Sequence, residues 1–522
     1  MQHPPVFFGD SEKLADFRTH RTKVRSESWV GTHAIAIPKG VRGVARTENS
    51  RVKTIETGWR RGCRPSVKLT ALVGAACLSL SSLAHAETIS GALSRAYSGN
   101  PDINQQRASV RASDENVPRA MSGYRPRVTA TADAGRQWTE SDIHGVPKTI
   151  KTVSNPRGVG LSVTQNLWNG NRTENGVRQA ESGVFAARET MRQTEQTVLQ
   201  NGATAYMNVL RDTAILNLRK NNISVIEEQL RQTRNRFQVG EVTRTDVAQA
   251  EASLAQARSD YFAAQSNLQS SVASYRQVIG VEPKRLEPAR PIEALLPKSM
   301  VAAVQVSQVE HPAVQAALHN VDAQALNVKV VEGELYPTIG VTGSVAKRYD
   351  PSGLSIGSQS LSASIVGSIS VPIYEGGEVY ARARQAKELL GQARLQADLQ
   401  RDAVRALVVS TWGQLETAKA QIVSGQAAVT AAEIALNGVR EEAKVGQRTT
   451  LDVLNAQQAL LNTRVLLVTA QRDRVVASYA VMAATGRLSA QNLNLKVANY
   501  DARAHFDQVK DKWIGLRTPD GR

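Results

Sequence analysis

Aromatic residues make up only 5% of this 522-residue chain, and it has just two cysteines. The shortage of large rings, against long runs of Ala, Gln, Ser and Val, argues for extended helices with shallow contacts rather than a thick globular core. Cys63 and Cys77 both precede residue 87, so a product starting there would have no thiol, disulfide or Cys-based metal site. After residue 86 only His144, His311, His319 and His505 remain, and no Walker loop or H-E-x-x-H occurs. The chain is therefore read as a non-enzyme with no cofactor and no metal.

The net charge is +17, but residues 1–86 hold 14 Lys and Arg against 6 Asp and Glu and carry nearly half of the excess. Beyond them the basic residues are scattered along Gln- and Glu-rich stretches. No basic patch with interleaved aromatics forms, so no nucleic-acid partner is expected. Within the first segment, RRGCRPSVK (60–68) is basic, LTALVGAACLSLSSL (69–83) is apolar and AHA (84–86) fits a small-residue cleavage site. Residues 1–86 read as an N-terminal extension plus secretory signal, with the mature chain starting at Glu87. No later stretch reads as long and apolar enough to cross a bilayer as a helix.

Two patterns alternate after that point. In the first, Val247, Ala250, Leu254, Ala257, Tyr261, Ala264, Leu268, Ser271, Tyr275 and Val278 recur three and four apart, a narrow coiled-coil seam. A second seam runs Val379, Ala383, Ala386, Leu390, Ala393, Ala397, Val404, Leu407, and the proline-free 171–237 also reads as helix. The other pattern has the period of a strand. LSASIVGSISVPI (361–373), GVGLSVTQNLW (158–168), PTIGVTGSV (337–345) and, more weakly, RVTATADAGRQW (127–138) alternate apolar with polar residues. Each suits a tilted membrane strand, and Trp138, Trp168, Tyr336, Tyr349 and Tyr374 sit near their ends as an interfacial girdle would.

The halves match in order. NPDI (100–103) corresponds to HPAV (311–314), YRP (124–126) to YP (336–337) and LWNGN (167–171) to IYEGG (373–377). The phrase VGEVTRTDV (239–247) returns as VGQRTTLDV (445–453). The expected division is 1–86, a first repeat 87–280, a Pro-rich linker 281–298, a second repeat 299–486 and a polar tail 487–522. The tail is expected either to wrap the helices near mid-height or to stay without fixed structure. Four strands cannot close a barrel. An open edge in lipid leaves backbone groups unsatisfied at several kcal/mol each, so several copies must share one barrel.

The duplicated unit, the LWNGN and IYEGG corners and the paired turns VGEVTRTDV and VGQRTTLDVLNA resemble the TolC family of outer-membrane efflux and secretion channels, over roughly residues 87–486. The resemblance implies a mainly α fold with membrane β. Long helical hairpins would form a periplasmic α-barrel, with four strands per chain in a twelve-stranded transmembrane β-barrel shared by a homotrimer. It implies an outer-membrane exit duct in a Gram-negative bacterium, spanning into the periplasm. Its partners would be a periplasmic adaptor, an inner-membrane pump of the RND or ABC type, and outer-membrane lipid. The repeated phrase becomes the hairpin turn at the tunnel's narrow end, with Gly240 and Gly446 making the reversal. Carried over by position, Arg448 matches a linking arginine, Thr245 and Asp246 its partners, and Asp452 a ring aspartate. Asn455 stands where a second acidic ring is often found, and Ala443 replaces a linking tyrosine. The alternative reading is a periplasmic coiled-coil adaptor or scaffold. Adaptors usually carry one hairpin flanked by small β domains.

Overall fold

A computed structural model describes residues 87–142, 144, 149–350 and 358–521. The proposed extension and signal, with both cysteines, lie outside them. The first half runs α1 (Ile89–Gly99), α2 (Pro101–Asp114), α3 (Asn116–Met121), β1 (Arg127–Ala134), β2 (Gln137–Ser141), β3 (Ile150–Ser154), β4 (Arg157–Trp168), α4 (Arg172–Gln238) and α5 (Arg244–Ile279). The second runs α6 (Met300–Glu310), α7 (Pro312–Glu332), β5 (Thr338–Tyr349), β6 (Gln359–Ser370), α8 (Glu378–Lys444) and α9 (Thr450–Ala484), and α10 (Ala502–Val509) follows.

The matched motifs start matched elements. Asn100 and His311 each cap a helix through the side chain, with a proline next in the first turn. At the strand-to-helix corners, Gly170 and Asn171 occupy the left-handed region at φ +67° and +60°, and Gly376 and Gly377 at φ +64° and +87°. Two such residues in succession suit only Gly and, at some cost, Asn, which accounts for NGN and EGG. After each corner rises a helix of 67 residues, about 100 Å at 1.5 Å per residue.

The main sheet has the order β1-β4-β5-β6, antiparallel throughout, and the pairing of β4 with β5 joins the two halves. The register carries the alternation across all four strands. Thr129, Ser162, Ser344 and Ser364 lie side by side, with Ser344 and Ser364 hydroxyls 2.9 Å apart. The adjacent row is Ala130, Leu161, Val345 and Ala363. One face is therefore polar and the other apolar. Leu361, Ile365 and Ile369 on the apolar face are exposed. Among the described residues, β1 and β6 have no outer neighbour in the chain.

Three expectations need correction. The segment 127–138 is not one strand: it breaks after Ala134, and Trp138 belongs to a separate β2–β3 hairpin. The strand expected to reach Ile373 ends at Ser370, and Pro372 has no N–H to continue a ladder. In the second seam Leu407 is exposed and Val408 is fully buried, because the contact continues Val404, Val408, Thr411, Leu415 in steps of four, three and four. The first seam is buried or partly buried at every position named.

One helix, α8, does contain an 18-residue window of mean hydropathy 1.2, enough by length and composition to cross a membrane. Within that helix Val429 and Leu436 are buried and pack toward Leu460 of α9, whereas Val423 and Ile434 are exposed.

The largest apolar cluster joins α1, α4, α5, α9 and the chain after Gly486 through Leu93, Leu199, Tyr206, Tyr275 and Leu488. Glu87 is tied into it. Its N–H donates to the Arg285 carbonyl at 2.7 Å, and its own carbonyl accepts from Glu287 N–H at 3.0 Å. The Tyr206 hydroxyl lies 2.7 Å from the carbonyls of both Glu87 and Glu287, and Tyr275 donates to the Glu87 carboxylate at 2.7 Å. Burial pushes the Tyr206 hydroxyl up to about 12, so it stays a donor. The tail does not stop at this level. Its helix α10 packs on α2, with His505 Nδ1 2.9 Å from Asp114, and residues 510–518 reach Arg125 beside the start of β1.

Candidate functional site

The site built from the repeated phrase is a pair of helix reversals. In the first, Glu241 N–H donates to the Arg236 carbonyl at 2.9 Å and Gly240 N–H to Phe237 at 3.0 Å. In the second, Gln447 N–H donates to Glu442 at 2.9 Å and Gly446 N–H to Ala443 at 3.3 Å. Both are Schellman caps, and both glycines sit at φ +79°, where a side chain would be strained.

Three residues on, the next helix starts from a reciprocal cap. Thr243 N–H donates to Asp246 Oδ2 at 2.9 Å while Asp246 N–H donates to Thr243 Oγ1 at 3.3 Å. At Thr449 and Asp452 the same distances are 3.0 and 3.2 Å. Each box satisfies two otherwise unpaired N–H groups. Hydrogen bonds from the Thr243 side chain and backbone hold the Asp246 carboxyl below its usual range. Those from the Thr449 backbone and side chain do the same for Asp452, with Arg448 adding attraction. Both aspartates are anions at neutral pH with one oxygen engaged in the cap.

Arg448 is exposed, and its Nε donates to Glu442 Oε2 at 2.8 Å, which raises its pKa. Within the protomer it makes no hydrogen bond or ion pair with Thr245 or Asp246. Thr245 and Asn455 are exposed, and Ala443 is buried. The two reversals border one groove of about 810 Å³, lined by Arg236 and Glu241 from the first and Ala443, Lys444 and Val453 from the second.

Reading the sequence for charged motifs missed the apolar contact that ties the hairpins together just above the turns. Leu230 of α4, Ala250 of α5 and Leu454 of α9 form one buried cluster. It also missed duplicated cross-links. Arg258 pairs with Glu227 at 2.9 Å and Arg464 with Glu433 at 2.7 Å, 206 positions on. Arg234 pairs with Glu251 at 2.6 Å, and its counterpart Arg440 bonds Gln457 at 3.0 Å. Applying the spacing of the repeated phrase to every charged residue would have found them. No group of His, Cys, Asp and Glu among the described residues could hold a metal. The letters GLSIG at 353–357 match G-x-S-x-G and lie outside the described residues.

Known proteins share this arrangement. The outer membrane efflux protein family matches residues 92–281 and 303–487. The outer membrane efflux protein BepC of Brucella suis biovar 1 is 44% identical over 453 residues, 87% of this chain and 95% of the relative. The outer membrane protein TolC of Escherichia coli K12 is 27% identical over 445 residues, 81% of this chain and 87% of its own length. Among solved structures, the CmeC outer membrane channel of Campylobacter jejuni superposes with a TM-score of 0.69 at 18% identity, over 81% of this chain and 89% of that one.

Proposed function

The chain belongs to the outer membrane efflux protein family, and from that premise we propose how it works as an outer-membrane exit duct for efflux or secretion. Three copies share one barrel, each giving the four-stranded sheet, and β1 of one meets β6 of the next. The observation that supports this is the sheet itself, apolar on one face and polar on the other, with both edges open. Twelve strands satisfy every backbone group in lipid where four cannot. The lone adaptor reading is set aside, because both hairpins rise from strands of this sheet and the relatives are outer-membrane proteins.

Beneath the barrel, the hairpins of repeats 87–280 and 299–486 line a common tunnel, and cargo passes without any bond being made or broken. A periplasmic adaptor and an inner-membrane pump of the RND or ABC type engage the turn end. Arg448 holds that end closed through Thr245 and Asp246 of an adjacent hairpin in the trimer, in exchange with its own Glu442. Three Asp452 carboxylates face one axis and attract cations, and the three Asn455 above them add no charge. Residues 60–86 direct export, with cleavage before Glu87.

Planar-bilayer recording of the purified trimer tests this reading. Asp452→Asn should lower cation selectivity and weaken block by multivalent cations, and Arg448→Ser should raise closed-state conductance. Unchanged conductance, selectivity and block in both variants would remove the gate assignment. A detergent-free monomer in solution would remove the shared barrel.

A further inference from the structure

The last residues of the tail carry an apolar tip that the rest of the fold leaves uncovered. Trp513 is 66% exposed, Ile514 89% and Leu516 103%. The tip is held in place rather than free. Arg125 Nη1 donates to the Lys512 carbonyl at 3.1 Å, and its guanidinium lies 4.7 Å from the centre of the Trp513 ring. Lys512 Nζ then donates to the Arg517 carbonyl at 2.6 Å, closing a loop that presents residues 513–516.

Its height in the fold is set by neighbours. Arg125 stands two residues before β1, and the Tyr124 carbonyl accepts from Gln165 of β4 at 3.0 Å. The exposed rings of Tyr124, Trp168 and Tyr336 mark the helix-side ends of β1, β4 and β5, with Trp168 and Tyr336 6.3 Å apart edge to face. Trp513 joins this belt from the far end of the chain. Rings at such a level mark a membrane–water boundary.

Basic residues outnumber acidic ones around the tip, where Asp511 stands beside Lys512. Lys512, Arg517, Arg119, Arg125 and Arg127 have no carboxylate within ion-pair distance among the described residues. By contrast, Lys510 is paired with Asp507 at 3.0 Å and Arg111 with Asp520 at 3.6 Å. Beneath the loop lies a groove of about 440 Å³ lined by Arg119, Arg125, Ser122, Pro118 and the single carboxylate of Glu115.

We propose that residues 510–518 anchor the protein to the helix-side leaflet of its membrane: Trp513, Ile514 and Leu516 enter the lipid, and the surrounding cations hold anionic phospholipid headgroups. An apolar tip ringed by Lys and Arg is the composition that binds such a surface, and surface charge there attracts basic residues over a Debye length. The anchor holds the barrel at a fixed depth while the helices below are pulled by partners. It rests on the outer-membrane placement of the sheet.

The test uses the chain from Glu87 onward, which has no cysteine of its own. A single Leu516→Cys or Ile365→Cys carries an environment-sensitive fluorophore, and the protein is reconstituted into phosphatidylethanolamine vesicles with nitroxide-labelled lipid. Ile365, exposed on the apolar face of β6, reports on the sheet alone. Quenching is expected at both positions. At 516 it should be at least two-fold stronger when the vesicles contain phosphatidylglycerol, and Lys512→Glu with Arg517→Glu should abolish that gain without changing the signal at 365. Quenching at 365 but not at 516 would overturn the anchor, as would disulfide linkage of 516 to a second copy in the absence of lipid. Equal quenching with and without phosphatidylglycerol would overturn the headgroup assignment. Loss of signal at both positions would overturn the placement of the sheet, and the anchor with it.

Discussion

The first hairpin and the second are built on one plan but filled differently. Both reverse through the same caps and share the Glu227–Arg258 and Glu433–Arg464 cross-links. Higher up, the first encloses polar groups: Asp212 is buried, held by Arg211 at 2.8 Å and by the Ser271 hydroxyl, and Tyr206 and Tyr275 bond to Glu87. At the corresponding positions, 206 residues on, the second has Ala418, Ala477, Trp412 and Val481, apolar side chains that are buried or partly buried. The turns also exchange sign. Arg236 on the helix pairs with Glu241 at 2.9 Å in the first, and Glu442 on the helix pairs with Arg448 at 2.8 Å in the second. Duplication preserved what each hairpin needs for itself. The two differ where the first receives Glu87; the linker also packs on the second, with Ile292 N–H donating to Ser478 and Glu293 pairing with Arg474.

The strongest way to break this comparison is to force the polar filling of one hairpin onto the other. Ala418→Asp would bury a carboxylate opposite Ala477, with no hydroxyl to receive it, and should cost about 3 kcal/mol or more. Thermal dissociation of the detergent-solubilised oligomer measures it, and an unchanged midpoint would refute the apolar packing.

Next, Tyr206→Phe keeps the ring and removes the hydroxyl shared by the Glu87 and Glu287 carbonyls. The expected loss is about 1–2 kcal/mol, seen as faster proteolysis near Glu87, whereas Trp412→Phe in the second hairpin should have less effect.

Of similar or smaller size is a pH effect confined to the second half. His311 caps α7 by accepting from Ala313 N–H at Nδ1, at 3.2 Å, where the first half uses Asn100. Burial, reinforced by Arg192, lowers its pKa from 6.5 to about 4. Between those values the unfolded chain binds a proton that the folded one does not, so stability falls as pH drops through that window, by roughly 1–3 kcal/mol. His311→Asn should flatten the dependence of the unfolding midpoint over pH 4–6.5, leaving the neutral midpoint nearly unchanged. Undiminished acid sensitivity would place its source elsewhere. The smallest effect is expected from Gln457→Glu, which gives Arg440 the carboxylate that Arg234 already has. Such a partly exposed pair adds about 0.3–0.5 kcal/mol, and less in high salt.

What could be read ahead of the fold was local or periodic. The duplicated turns, the corners, the first seam and the strand alternation follow from residues within one or two helical turns of each other. Caps and alternation act over that range, so sequence alone determined the reversals at Gly240 and Gly446 and the two faces of the sheet. Seam register was already less secure, as Val408 in place of Leu407 shows, because a one-position error leaves the same composition. The tertiary structure decided the contacts between distant residues: β4 beside β5, Glu87 under Tyr275 188 positions away, and Arg125 against Lys512 387 positions away. Each such contact depends on closing a long loop against its entropy and on what else packs nearby. No residue carries that information in its own neighbourhood, and so a tail that reads as merely polar ends beside the strands.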